Sequence, residues 1–243
     1  MTKIIDSLEK HIAEAVAHYW LTRRAQRQKQ KKRGVSDAGL RSAVTGGAQM
    51  DGFISLFTKL ILETGLDKRY VFQKKALDLP GFFRPTKEWD LLVIKKGHLI
   101  ATIEAKSQVG PSFGNNFNNR TEEAMGSALD LWTAYREGAF DGGVQPFLGY
   151  FFMLEDCEGS NHAVKVREPH FKVFPEFVGA SYMKRYELFC RKLILERERH
   201  YTSASFITSD SENGVEGIYE EPASDLSFLI FAKSLVSHVG AFA

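Results

Sequence analysis

The chain has 243 residues, 44% of them hydrophobic, which is enough to bury a sizeable core, and no apolar run approaches the length needed to span a bilayer. Only Cys157 and Cys190 are present, neither in a C-x-x-C pair nor beside a ligand-spaced His, which argues against zinc and against a disulfide framework. The net charge of +2 hides an uneven distribution: Arg23, Arg24, Arg27, Lys29, Lys31, Lys32 and Arg33 fall in one acid-free stretch, and outside it acids outnumber bases.

Residues 5–28 read as a helix, with Ile5, Leu8, Ile12, Val16, Tyr19 and Trp20 at helical spacing ahead of the basic run. Glu and His inside that pattern distinguish it from a signal sequence, so a cytoplasmic protein is expected. A concentrated basic arm suits a polyanion met through one surface; a solvated helix end is the alternative. Gly34, Gly39, Gly46 and Gly47 mark a loop, and a second helix is predicted from about Asp51 to Glu63, where Phe53, Leu56, Phe57, Leu60 and Ile61 form a stripe before Gly65. Glu63 extends the stripe, either as a further metal ligand or as a helix-end residue with a local partner.

From Tyr70 the pattern changes to short strands, at 70–77, 89–94 and 98–106. The turn between the last two sets their register. A two-residue loop would force Lys96 into positive φ, whereas Lys95-Lys96-Gly97 puts Gly97 in the left-handed position, and the three-residue loop is preferred on that ground. Ile94 then faces His98 and Asp90 faces Thr102, so Asp90, Thr102, Glu104 and Lys106 project from one side of the sheet. A polar loop, 110–120, leads to a helix with Ala124, Ala128, Leu131, Trp132 and Tyr135 inward, and Asn119 with Glu122 resembles a capping box at its start. A strand at 147–154 and a helix at about 181–198 complete an α/β fold, a mixed sheet flanked by helices.

Two carboxylates a few ångströms apart can hold a hard cation. Mg2+ keeps most of its waters, so Asp90, Glu104 and the Ala105 carbonyl would suffice as protein ligands, with Lys106 on the same face to orient or help deprotonate an attacking water. Acid-x-Lys triplets arise by chance in a chain this charged, but Glu104-Ala105-Lys106 ends the apolar strand 99–103, where an unpaired charge is costly. A surface salt bridge is the plain alternative.

Three blocks, Leu79-Pro80-Gly81-Phe82-Phe83-Arg84-Pro85-Thr86-Lys87-Glu88-Trp89-Asp90, Ile103-Glu104-Ala105-Lys106-Ser107 and Gly110-Pro111-Ser112-Phe113-Gly114-Asn115-Asn116-Phe117-Asn118-Asn119-Arg120, resemble the XhoI family of type II restriction endonucleases. The likeness continues through 130–138, 155–157 and 179–194 and spans most of residues 40–195. It implies a PD-(D/E)xK nuclease fold, Mg2+ dependence and double-strand cleavage within CTCGAG leaving 5′ overhangs. The family's acidic ligands fall on Asp90 and Glu104 and its lysine on Lys106; Trp89 stands where the motif's name has proline. One nuclease domain is then expected over 1–200, including the N-terminal helix and the basic arm at about 20–34, with 201–243 an extension of unknown role.

A palindrome is read most simply by two identical subunits, so a homodimer on double-stranded DNA is expected, with a cognate DNA methyltransferase to protect host sites. Asn115, Asn116, Asn118, Asn119 and Arg120 carry the groups that read adenine and guanine edges, with turn-making and helix capping as their alternative use. Arg23, Arg24, Arg27, Lys31, Lys32, Lys184, Arg185, Arg191 and Lys192 suit phosphates. A repair or junction-resolving nuclease of the same fold, and a non-catalytic DNA-binding protein, are the competing readings.

Overall fold

Alternating burial along residues 91–108 divides the molecule into layers, because successive strand side chains leave on opposite faces. Leu91, Val93, Ala101, Ile103 and Ala105 enter one core, while Leu92 and Leu99 enter another. The computed structural model describes residues 3–32, 47–141, 143–195 and 200–243. Its strands are β1 (Val71–Phe72), β2 (Asp78–Pro80), β3 (Thr86–Glu88), β4 (Leu91–Lys95), β5 (His98–Gln108), β6 (Phe147–Glu155) and β7 (Ser203–Ser209). Five of them form one mixed sheet in the order β1-β4-β5-β6-β7, antiparallel up to β5 and parallel from β5 to β7.

The helices are α1 (Lys3–Asp6), α2 (Leu8–Lys32), α3 (Asp51–Leu62), α4 (Phe113–Arg136), α5 (Glu158–Asn161), α6 (Tyr182–Leu195) and α7 (Phe228–Gly240). On one face α2, α3 and α7 bury Ile12, Val16, Phe53, Phe57, Phe231 and Leu235 against the sheet; on the other α4 and α6 bury Ala128, Leu131, Tyr186 and Leu193. No helix among the described residues is long and apolar enough to cross a membrane. Cys157 is half-buried and Cys190 buried, both as free thiols.

The β4–β5 turn differs from the expectation. Lys95 pairs with His98, so the loop is the two-residue Lys96-Gly97, and Lys96 does take positive φ (51°), followed by Gly97 at 83°. Both central residues left-handed is the geometry whose twist matches a hairpin, which outweighs the local strain at lysine. That turn alone would set Asp90 opposite Ile103, on the wrong face. A bulge corrects it: Ile94 pairs with Leu99 but Val93 with Ala101, leaving Ile100 as the extra residue. Its carbonyl is taken by His238 Nε2 at 3.1 Å. Beyond the bulge Leu91 faces Ile103, which carries Asp90 alongside Glu104, the sidedness expected from a different turn.

Three other boundaries move. The predicted strand 70–77 is only Val71–Phe72, and the next residues instead build a separate β2–β3 hairpin in which Leu79 faces Lys87. The predicted polar loop 110–120 ends early, since α4 starts at Phe113; Asn119 and Glu122 are interior helix residues and form no capping box, and Ser112 is the N-cap. Residues 201–243, set apart above as an extension, supply β7 beside β6 and α7 to the first core, where Ile207, Phe228, Phe231 and Leu235 are fully buried, while Phe206 of β7 enters the second. They are part of the same layers.

Candidate active site

Glu104 and Lys106 lie two apart on β5 and share its even-numbered face, the α4/α6 side, near the carboxyl end of the parallel strands. Asp90 sits just before β4, which runs antiparallel, and so reaches the same end. Lys106 Nζ lies 2.7 Å from Glu104 Oε1 and 3.2 Å from Asp90 Oδ2, so two carboxylates from separate strands share one cation. Asp90 Oδ2 also accepts from the Ala105 amide at 2.8 Å. In a strand the N–H and C=O of one residue leave by the same edge, so the Ala105 carbonyl faces Asp90 as well. The oxygen set is therefore two carboxylates and a peptide carbonyl, which fits a hard divalent cation that retains several waters. Among the described residues no group of three or more His, Cys, Asp and Glu is placed to hold a metal.

The centre is enclosed on one side and open on the other: the Glu104 side chain is 4% exposed and that of Asp90 35%. Burial alone would raise the Glu104 carboxyl, but the Lys106 and Lys87 ammoniums outweigh it and hold the carboxyl below its usual range. Lys106 is the converse, since burial opposes its charge while Glu104 and Asp90 more than restore it and raise it above the ordinary lysine range. Lys87 was not anticipated. Its Nζ meets Glu104 Oε2 at 2.6 Å, lies 4.2 Å from the centre of the Trp89 ring and donates to the Glu88 carbonyl at 3.1 Å. The β2–β3 hairpin delivers it. That hairpin is tied down by Asp130 on α4, whose carboxylate accepts from the amides of Phe82 (2.7 Å) and Phe83 (2.8 Å) and from Arg84 Nε (2.7 Å).

Other predicted residues divide by position. Asn115, Asn116, Asn118 and Asn119 lie on the first turns of α4, exposed or half-buried, and their side chains make no hydrogen bond with described residues, so capping does not consume them. The end of α4 that bears them adjoins the centre, because Gln108 Nε2, two residues beyond Lys106, donates to the Phe113 carbonyl at 3.3 Å. Arg120 is paired with Glu123 at 2.6 Å. Glu63 stands apart from the centre as a helix-end residue with a local partner: it follows α3 on the opposite face and accepts from the Ile4 amide at 3.0 Å. The basic arm is thinner than its sequence. Arg23 is 4% exposed over the Tyr19 ring and Arg24 donates to the Ser211 carbonyl at 2.7 Å, while Arg27 and Lys29 are exposed. The side chains of Lys31 and Lys32, and the whole of Arg33, lie outside the described residues. Lys184, Arg185, Arg191 and Lys192 are all engaged within the fold, with Glu187, the Ala180 and Val164 carbonyls, Asp225 and Glu176 respectively.

Comparison with known proteins points to one family. The family model described as restriction endonuclease XhoI matches residues 29–221. The type II restriction enzyme BstVI of Geobacillus stearothermophilus is 53% identical over 214 residues, covering 86% of this chain and 95% of that protein. XhoI of Xanthomonas vasicola is 50% identical over 183 residues (74% and 73%), and AbrI of Azospirillum brasilense 51% identical over 165 (68% and 74%). No solved structure gives a significant match.

Proposed function

Because the chain belongs to the XhoI restriction endonuclease family, we infer that this type II restriction enzyme makes Mg2+-dependent double-strand cuts in DNA at the palindrome CTCGAG, leaving 5′ overhangs. The observation that carries the reading is the single ammonium of Lys106 spanning Asp90 and Glu104, which marks a cation site at the open end of the sheet. Asp90, Glu104 and the Ala105 carbonyl would hold the Mg2+. When bound, that ion supplies charge against the phosphate oxygens and makes a coordinated water more acidic. Lys106, charged at neutral pH, donates to the attacking water and orients it toward phosphorus. Lys87 holds the inner oxygen of Glu104 in place from behind. The side-chain amides of Asn115, Asn116, Asn118 and Asn119, which bond to no described residue, are available to base edges, and a helix that presents its first turns to a major groove is an established way of reading them.

Two copies around a twofold axis match the two halves of a palindrome, so the working form is a homodimer on double-stranded DNA. In the cytoplasm it is accompanied by a methyltransferase that protects the same sites.

Plasmid digestion with Mg2+, followed by sequencing of the ends, tests the reading. Fixed fragments ending within CTCGAG are expected. Random fragments would remove the site specificity, and preference for branched DNA would favour junction resolution. Asp90→Ala and Glu104→Ala are each expected to abolish cleavage while retaining site binding in Ca2+; full cleavage by either contradicts the assignment of the centre.

A further inference from the structure

Residues 162–181 join α5 to α6 with a single short helical turn at Pro175–Phe177, and they are built firmly for an irregular segment. Arg185 holds both ends, donating to the Val164 and Ala180 carbonyls at 3.2 Å each. Glu168 folds the middle, accepting from the Val173 amide at 3.0 Å and from Lys172 at 2.8 Å. Lys192 pins the far side through Glu176 at 2.8 Å and the Phe174 ring at 5.6 Å. The firmness does not serve burial. Phe171 is 87% exposed at the tip, and Lys165, Arg167 and His170 are exposed and make no hydrogen bond or ion pair with described residues. An aromatic ring held in water by a preorganised loop, with Lys165 and Arg167 paired to no described residue, is complementary to a polyanion that also offers apolar groove contacts.

The segment also stands in the right place. It leads into α6 at Tyr182, whose ring stacks on Phe113 at the start of α4, and Gln108, two residues past Lys106, donates to Phe113. The two ends of the segment are therefore anchored on the α4/α6 face, toward the carboxyl end of the parallel strands where the candidate centre stands. We propose that residues 163–174 form a DNA-contacting arm, with Lys165 and Arg167 on backbone phosphates and Phe171 against base edges in the adjoining groove. This rests on the nuclease reading above and adds a contact to it.

The test measures affinity for a duplex bearing the cleavage site, in Ca2+, across a salt series. Each neutralised phosphate contributes about 0.9 to the slope of log K against log salt, so Lys165→Ala/Arg167→Ala, which removes two contacts from each copy of the homodimer, is expected to reduce that slope by about 3.6. Phe171→Ala is expected to weaken binding at least about tenfold with the slope unchanged, since an apolar contact releases no counterions. All three side chains are exposed, so thermal unfolding of the variants should match the parent protein. Parental affinity and slope in both variants would overturn the arm while the nuclease reading stands, provided the parent cuts plasmid at fixed sites. A parent that neither binds nor cuts DNA would overturn both. Variants that bind DNA normally but sediment as monomers would assign the loop to a second copy of the chain and overturn the arm.

Discussion

Each oxygen of the Glu104 carboxylate carries its own ammonium, Lys106 on Oε1 and Lys87 on Oε2, and with Asp90 they form a balanced set of two acids and two bases. The two lysines are not equivalent. Lys106 stands at the open side and is shared with Asp90, whereas Lys87 is 13% exposed behind Glu104. Lys87→Met leaves the hydrocarbon over Trp89 but removes the charge, so Glu104 has only Lys106 to neutralise it and binds it more tightly. Single-turnover cleavage is expected to slow by about 10–100-fold, as loss of a partner behind a metal ligand commonly does, with a shifted Mg2+ dependence. Lys87→Arg should recover part of the loss. A Mg2+ titration identical to the parent's would show that Lys87 only packs. Of these residues, Glu104 and Lys106 share a face by strand alternation, whereas Asp90 was placed beside them by family likeness and by a turn that does not form, the bulge at Ile100 restoring the same side. Lys87 could not be found in the sequence, because it reaches Glu104 through a hairpin of two three-residue strands that periodicity does not resolve. Its signal was the Lys87-Glu88-Trp89-Asp90 run, a lysine two residues from an aromatic that can carry it.

Elements were predicted best where a long apolar stripe marked them and worst where a turn chose between two backbone solutions. The sequence preference for glycine at positive φ favoured a three-residue loop, but hairpin twist favoured left-handed geometry at both Lys96 and Gly97. Lysine is strained there and asparagine tolerates it, so Lys96→Asn is expected to stabilise the protein by about 1 kcal/mol and raise Tm by about 2–4 °C, read by thermal unfolding. A lower Tm would mean that Lys96 makes a compensating contact. The start of α4 was misplaced for a related reason: asparagines favour turns, and they hid a helix that the spacing of Phe113, Phe117, Ala124 and Ala128 already indicated. Asp130, farther along that helix, fixes the β2–β3 hairpin. Burial would raise its carboxyl, but the Phe83 and Phe82 amides and Arg84 hold it below the usual range. A depressed carboxylate contributes stability above its unfolded value, near 3.8, and loses it as pH falls through the lower folded value. Asp130→Asn should therefore cost about 1.5–3 kcal/mol at pH 7 in urea unfolding, with the gap to the parent closing in acid below 3.8. A gap that persists there would assign the loss to packing.

At the scale of the molecule, the part least legible in the sequence is what brings the candidate catalytic residues together. Residues 201–243 fall largely beyond the resemblance quoted for 40–195, yet they contribute β7, α7 and His238. His238 Nε2–H donates to the carbonyl of Ile100, the residue that the bulge removes from the ladder. Without the bulge, a two-residue turn would put Asp90 opposite Ile103 and direct its carboxylate into the α2/α3/α7 core. Register is weakly held at a bulge, so a bond to its free carbonyl from across the core selects the productive alignment. Burial lowers the His238 imidazole below its ordinary 6.5, against a smaller opposite effect of the Ile100 bond. A histidine depressed in the folded state contributes stability above its unfolded value, and that stability is lost as pH falls from 6.5 through the folded value. His238→Ala is expected to lose about 1 kcal/mol at pH 8, the worth of one hydrogen bond, with the deficit shrinking as pH falls below 6.5. His238→Gln keeps a donor without a titrating ring, and should hold more stability at pH 8 with a flatter pH profile. Cleavage should fall further in the alanine variant than in the glutamine variant, because only the former leaves the Ile100 carbonyl without a partner. Equal cleavage in both, with a stability gap independent of pH, would mean that the strands hold Asp90 beside Glu104 without help from α7.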